Sequence, residues 1–136
     1  MKYLLDTNIC IYIINKKLPS LLKRLQTFSP GQLGISTITI AELEYGIHKS
    51  SQPDRNRVAL ASFLLPFEIL EFDRSAASEY GSLRAWQTSR GKTVGAMDLL
   101  IAAQARSRGL VLVTNNEREF ARIPELKIEN WATTLR

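Results

Sequence analysis

The sequence predicts an α/β domain built on a mainly parallel sheet flanked by helices, and three observations carry that expectation. Short apolar runs alternate with longer stretches of helical periodicity along all 136 residues. The run Leu110-Val111-Leu112-Val113-Thr114 stays apolar until its last residue, which suits a strand buried on both faces. Turn signals at Pro19-Ser20, Ser29-Pro30-Gly31, residues 50–54, Gly91 and Gly109 fall between the periodic stretches.

The elements follow in order. Residues 2–5 read as a short buried strand that ends at an acid. Residues 9–15 and 20–28 read as helices, the second with Ser20 as its N-cap. Residues 33–35 form a strand. Residues 37–47 form a helix with Ile40, Leu43 and Ile47 on one apolar face. A helix over 55–65 and an alternating strand over 68–72 come next. Two helices, 74–89 and 98–108, precede the buried strand 110–114, and residues 127–130 make a last short strand. No repeat or low-complexity linker divides the chain, so residues 1–136 are read as a single domain, a length within the ordinary range.

Composition narrows the function classes. The chain is 45% hydrophobic and 23% charged, as an ordinary globular protein is. One cysteine, Cys10, excludes an internal disulfide and a multi-thiolate zinc site, and one histidine, His48, excludes a histidine metal cluster. Cys10 reads as a small buried hydrophobe, and His48, at a helix end, takes no catalytic role. Asp6 and Asn8 interrupt the N-terminal apolar run before a signal peptide can form. No run reaches the roughly 20 apolar residues of a membrane span, so no membrane contact and a cytoplasmic setting are expected. The net charge of +5 admits a polyanionic partner.

Four polar segments then stand out. Asp6 follows Tyr3-Leu4-Leu5 directly, and a carboxylate at the end of a buried strand is costly without a partner. Asp6, Thr7 or Asn8 could each cap the next helix. Glu42 is the first acid after an uncharged stretch that begins at Leu25, and it shares a helix face with Ile38, Tyr45 and Gly46. A pocket acid is one reading, but the segment alone favours a surface glutamate at the edge of an amphipathic helix. Asp98 opens the apolar run Leu99-Leu100-Ile101-Ala102-Ala103, where an N-cap is the plain alternative. Thr114-Asn115-Asn116 follows the second buried strand. In a parallel sheet, sites form at the carboxyl ends of the strands. Several carboxylates gathered at one such edge repel each other unless a cation lies among them. All-oxygen donors favour Mg²⁺ or Mn²⁺ over Zn²⁺.

The segments Leu4-Leu5-Asp6-Thr7-Asn8-Ile9, Ala41-Glu42-Leu43-Glu44-Tyr45-Gly46, Asp98-Leu99-Leu100-Ile101-Ala102-Ala103 and Val113-Thr114-Asn115-Asn116 with Arg118-Glu119-Phe120 resemble, in that order, the four motifs of PIN domains. The pattern is most similar to the VapC ribonuclease toxins of toxin–antitoxin pairs, and the closing Glu129-Asn130-Trp131 is typical of them. The resemblance spans essentially the whole chain. It implies a PIN-like fold and a Mg²⁺-dependent endoribonuclease, with Mn²⁺ able to substitute, that cuts a specific RNA. It also implies a cognate VapB-type antitoxin that blocks the site, and a homodimer. Carried over, Asp6, Glu42 and Asp98 match the three central acids, with Asp6 and Asp98 as the main metal ligands. Many PIN domains carry an acid where Asn116 stands. Glu119, one turn on, is the candidate fourth carboxylate, and the departure leaves a second metal open. Thr7, Asn8, Thr114 and Asn116 are expected to orient the acids. The run 115–120 and the Glu129-Asn130-Trp131 ending look like the enteric branch, which points to initiator tRNA, cut in its anticodon loop.

RNA needs cations away from the acidic pocket. The candidates are Lys16, Lys17, Lys23 and Arg24 near the second helix, and Arg84, Arg90 and Lys92 before Asp98. Trp86 and Trp131 suit core packing better than base stacking. The antitoxin groove is expected between residues 50–65 and the helices over 11–25. Two rivals remain. An aspartyl phosphotransferase wants a second acid two residues after the nucleophile, where Asn8 stands, and a lysine at a later strand end, which is missing. A non-cleaving RNA-binding module of the same fold would have lost the acids, and at least three are present.

Overall fold

The computed structural model describes residues 1–91 and 94–132. Five parallel strands, β1 (Tyr3–Leu5), β2 (Leu33–Ser36), β3 (Glu68–Leu70), β4 (Val111–Val113) and β5 (Lys127–Glu129), form one sheet in the order β3-β2-β1-β4-β5. β1 lies at the centre, in register with Leu33 and Gly34 on one side and with residues Val111, Leu112 and Val113 on the other. Because every pair is parallel, all carboxyl ends lie on one edge. The expected α/β class and mainly parallel sheet are what the chain adopts.

The alternation of side chains along a strand divides the core into two layers. Leu4 and Leu112 face one layer, filled by Leu83, Leu99, Ile101, Ala102, Ala103, Phe120 and Ile123. Tyr3, Leu5 and Val113 face the other, filled by Ile9, Leu21, Leu43, Ile47, Leu60 and Trp131. The first layer holds α5 (Arg74–Arg90) and α6 (Ala96–Ser107). The second holds α1 (Thr7–Ile14), α2 (Pro19–Leu25), α3 (Thr37–His48) and α4 (Pro53–Leu64). The run of small residues in α6, Ala102, Ala103 and Ala105, is fully buried, which lets α5 approach closely.

Helix starts differ from expectation in instructive ways. α1 begins at Thr7, two residues early, because Asp6 caps it: Oδ1 accepts from the Thr7 amide at 2.8 Å. α2 starts at Pro19 with Leu18 as N-cap, so Ser20 is inside the helix; proline at the first helical position has no amide hydrogen to leave unpaired. Gly95, not Asp98, caps α6, which places Asp98 in its first turn. A four-residue helix, α7 (Glu117–Phe120), was not expected; buried Phe120 holds it to the core. Cys10 is buried and Trp131 packs in the core, its ring stacked on Phe28 with centroids 4.9 Å apart.

Candidate active site

The carboxyl edge brings the four singled-out acids within electrostatic range of one another. Asp6 follows β1, and its amide donates to the Val113 carbonyl at 2.9 Å, so its position is set by the sheet itself. Its carboxylate is 1% exposed. Oδ1 is spent on the Thr7 amide, and Oδ2 accepts from Thr114 Oγ1 at 2.7 Å. Burial raises the Asp6 pKa above its ordinary value; the bonds from Thr114 and Thr7 oppose that rise, and the charges of Glu42 and Glu119 add to it.

Glu42 enters from α3. Thr7 Oγ1 donates to its Oε1 at 2.6 Å. Thr7 Oγ1 also lies 3.1 Å from Thr39 Oγ1. A hydroxyl has one proton to give, so Thr39 donates back to Thr7. Thr39 is fully buried one turn before Glu42, and completes a relay that fixes the glutamate to α1. That buried threonine is a residue the sequence reading missed; its only signal is its place three residues before Glu42 on the same helical face.

Asp98 enters from α6, half-buried. Its side chain turns back over the helix start, where a Cβ on Gly95 would stand 3.8 Å from its Oδ2. Burial first, and then the charges of Asp6, Glu119 and Glu42, push its carboxyl up to about 6. Glu119 enters from α7, where Asn116 Nδ2 donates to its Oε2 at 2.6 Å. Asn116 is itself positioned by its amide, which donates to Thr114 Oγ1 at 3.0 Å. The neutral Asn116 thus holds the neighbouring acid in place. Thr7, Thr114 and Asn116 each hydrogen-bond to one of the acids. Asn8 does not: its side chain is exposed and makes no hydrogen bond among the described residues.

The donor set suits a hard divalent cation. All its donor atoms are oxygens, and the carboxyls of Asp6 and Asp98 are raised first by burial and then by the charges of neighbouring acids, a repulsion that a cation relieves. Among the described residues no three of these acids close a ready-made cage.

The expected cations are dispersed. Lys16, Lys17 and Lys23 are exposed near α2. Arg24 is committed to the C-terminal segment, 3.5 Å from Glu129 and over the Trp131 ring. Arg84 lines a hollow with Tyr80, Gln87, Val94, Ala96 and Leu99, beside the start of α6. Arg90 is exposed, and Lys92 lies outside the described residues. Away from the acids, a cavity of about 260 Å³ opens between α1, α3 and α4, lined by Ile11, Ile14, Leu43, Gly46, Ile47 and Leu60 among others. It joins the two segments expected to form a partner groove.

The chain is similar to known proteins in sequence and fold. The family model described as PIN domain matches residues 3–126. The chain is 42% identical to the tRNA(fMet)-specific endonuclease VapC of Shigella flexneri over 132 residues, covering 97% of this chain and 99% of that one. Among solved structures, it superposes on DNA-bound VapBC from Salmonella typhimurium with a TM-score of 0.92 at 44% identity, covering 96% and 98% of the two chains. VapBC2 from Rickettsia felis, bound to a DNA fragment from its promoter, gives 0.90 at 41% identity, with 96% and 99% covered.

Proposed function

The chain belongs to the PIN domain family, and from that premise we propose that it is a VapC-type toxin: a metal-dependent endoribonuclease whose substrate is initiator tRNA and whose inhibitor is a VapB-type antitoxin. The observation that carries this reading is the cluster of Asp6, Glu42, Asp98 and Glu119 at one sheet edge, on a chain 42% identical along almost its whole length to a tRNA(fMet)-specific endonuclease. The structural neighbours from Salmonella typhimurium and Rickettsia felis are toxin–antitoxin complexes, which supports the same partner here.

In this mechanism Asp6 and Asp98 would hold one Mg²⁺, for which Mn²⁺ would substitute. When bound, the cation supplies positive charge to the phosphodiester and acidifies water. The protein's own groups do the rest. Thr114 and the Thr7 amide fix both oxygens of Asp6. Thr7 steadies Glu42 through Oε1, and Oε2, which accepts no hydrogen bond among the described residues, is placed to take the proton of the attacking water. Water adds to phosphorus, one phosphorus–oxygen bond to ribose breaks, and the departing oxygen takes a proton from solvent as Glu42 returns the one it removed, so that one water is consumed per bond cut. Glu119, steadied by Asn116, adds a fourth negative charge that strengthens cation binding. Arg84, beside the start of α6, contacts the RNA backbone.

The cavity between α1, α3 and α4 is the docking groove for an apolar antitoxin segment. Self-association into a homodimer and action in the cytoplasm, where the tRNA is, complete the reading. The test is to supply purified protein and Mg²⁺ with total tRNA and ribosomal RNA and to sequence the fragment ends. One cut in the anticodon loop of initiator tRNA supports the proposal; dominant cleavage of ribosomal RNA, or of many tRNAs alike, replaces the substrate.

A further inference from the structure

We infer that Arg118 and Arg122 form a phosphate-gripping subsite beside the acidic centre, which holds an RNA phosphodiester next to the one that is cut. The inference rests on the endoribonuclease reading and extends it to how the strand is held.

The first argument is one of availability. Four arginines are committed to carboxylates: Arg24 to Glu129, Arg57 to Glu44, Arg106 to Glu79 and Arg108 to Asp73. Arg118 and Arg122 make no ion pair among the described residues, although Glu117 and Glu119 adjoin Arg118 in the chain. Those two glutamates are engaged elsewhere. Asn130 Nδ2 donates to Glu117 at 2.9 Å, and Asn116 Nδ2 donates to Glu119 at 2.6 Å. The asparagines take the acids and leave the guanidiniums free.

Placement is the second. Four positions apart, the two arginines line one hollow of about 250 Å³ together with Asn116 and Glu119. Glu119 is also one of the acids whose charge acts on Asp6 and Asp98, so the hollow adjoins the reaction centre. Two like charges that share a hollow repel, and an anion between them relieves the repulsion. A guanidinium is also the side chain whose fork fits phosphate oxygens in pairs.

Rigidity is the third. The turn that carries both arginines is pinned from within by Phe120 and Ile123, which are 0% and 3% exposed in the core. Little backbone ordering is therefore left for binding to do. Arg84 lines a separate hollow with Ala96 and Leu99 of α6, whereas the arginine pair shares its hollow with Asn116 and Glu119.

The experiment uses the full chain. Initiator tRNA and a mixed-sequence single-stranded RNA are titrated into an Asp98→Asn protein, with and without the double change Arg118→Ala and Arg122→Ala, between 50 and 200 mM salt. Losing one phosphate contact lowers the slope of log affinity against log salt by ~0.7 for single strands. The subsite predicts that fall for both RNAs, because phosphate contacts do not read sequence. In the otherwise wild-type, cleaving protein the double change to alanine is expected to lower kcat/KM about tenfold or more, carried by KM, with Arg118→Lys and Arg122→Lys recovering the salt slope. Both positions are exposed, and equal melting temperatures confirm that the variants are folded. An unchanged slope and affinity, or a loss confined to kcat, overturns the subsite while wild-type cleavage still stands. RNA that binds through these arginines but is never cut by the wild type overturns the endoribonuclease reading and leaves the subsite.

Discussion

With no metal bound, the carboxyl of Asp98, pushed up to about 6 by burial and by the neighbouring charges of Asp6, Glu119 and Glu42, ionises at a cost to the fold. The sign follows from linkage. A carboxyl raised above its ordinary 3.8 contributes stability that is present below that value and lost as pH rises through about 6. Asp98→Asn should therefore melt higher than wild type at pH 7–8 in EDTA, and the gap should close towards pH 4. Thermal melts across that range check it. The same titration means that cation binding competes with a proton, so metal affinity and metal-dependent activity should both fall as pH drops below about 6. Thr114 tests the support of the acids separately. Its hydroxyl is fully buried and serves Asp6 and the Asn116 amide at once. Thr114→Val keeps the shape, and should weaken divalent-cation binding and activity by roughly 10–100-fold, measurable by calorimetric titration of Mn²⁺.

Elements decide where such residues stand, and they do so through capping and burial. After α6 the chain reverses at Gly109, whose φ of 64° is left-handed, before Leu110 leads into β4. A Cβ there meets no neighbour, so the cost of Gly109→Ala is conformational. It should destabilise by about 1 kcal/mol, read by denaturant unfolding, with the cleavage site unaffected. The long, strongly patterned elements were legible in the sequence: β1 and β4 as apolar runs, α5 and α6 as periodic stretches, and the acids at their ends. What was not legible is set by tertiary contact. α7 has four residues, too few for any periodic signal, and exists because Phe120 is buried. Thr39 and Gln104 are polar residues on buried faces, which pattern reading assigns to solvent. Gln104 instead sits inside α6 and donates to the Leu70 and Glu71 carbonyls at 3.2 and 3.0 Å, tying the end of edge strand β3 to the helix. The exposed Asn8 and the committed Arg24 show the converse: residue type nominated them, and geometry gave them other surroundings.

At the scale of the whole molecule, charge is sorted. The chain carries 18 lysines and arginines against 13 acids, yet four of those acids converge on one sheet edge. Exposed cations stand on α2 (Lys23), α5 (Arg84), α7 (Arg118) and the turn after it (Arg122). Under the proposed function the acidic centre takes a cation and these side chains take the RNA backbone. It also predicts that millimolar Mg²⁺ raises the melting temperature of the wild type and that Asp98→Asn abolishes most of the increase. Among the described residues no helix is long and apolar enough to cross a membrane. The most direct test of the acidic edge as a metal-dependent ribonuclease centre is cleavage of initiator tRNA by wild type and Asp98→Asn, each with Mg²⁺ and with EDTA. Cutting by the wild type in Mg²⁺ alone, and none by a folded Asp98→Asn protein, is the predicted result. Equal cutting by the variant, or cutting that persists in EDTA, would contradict it.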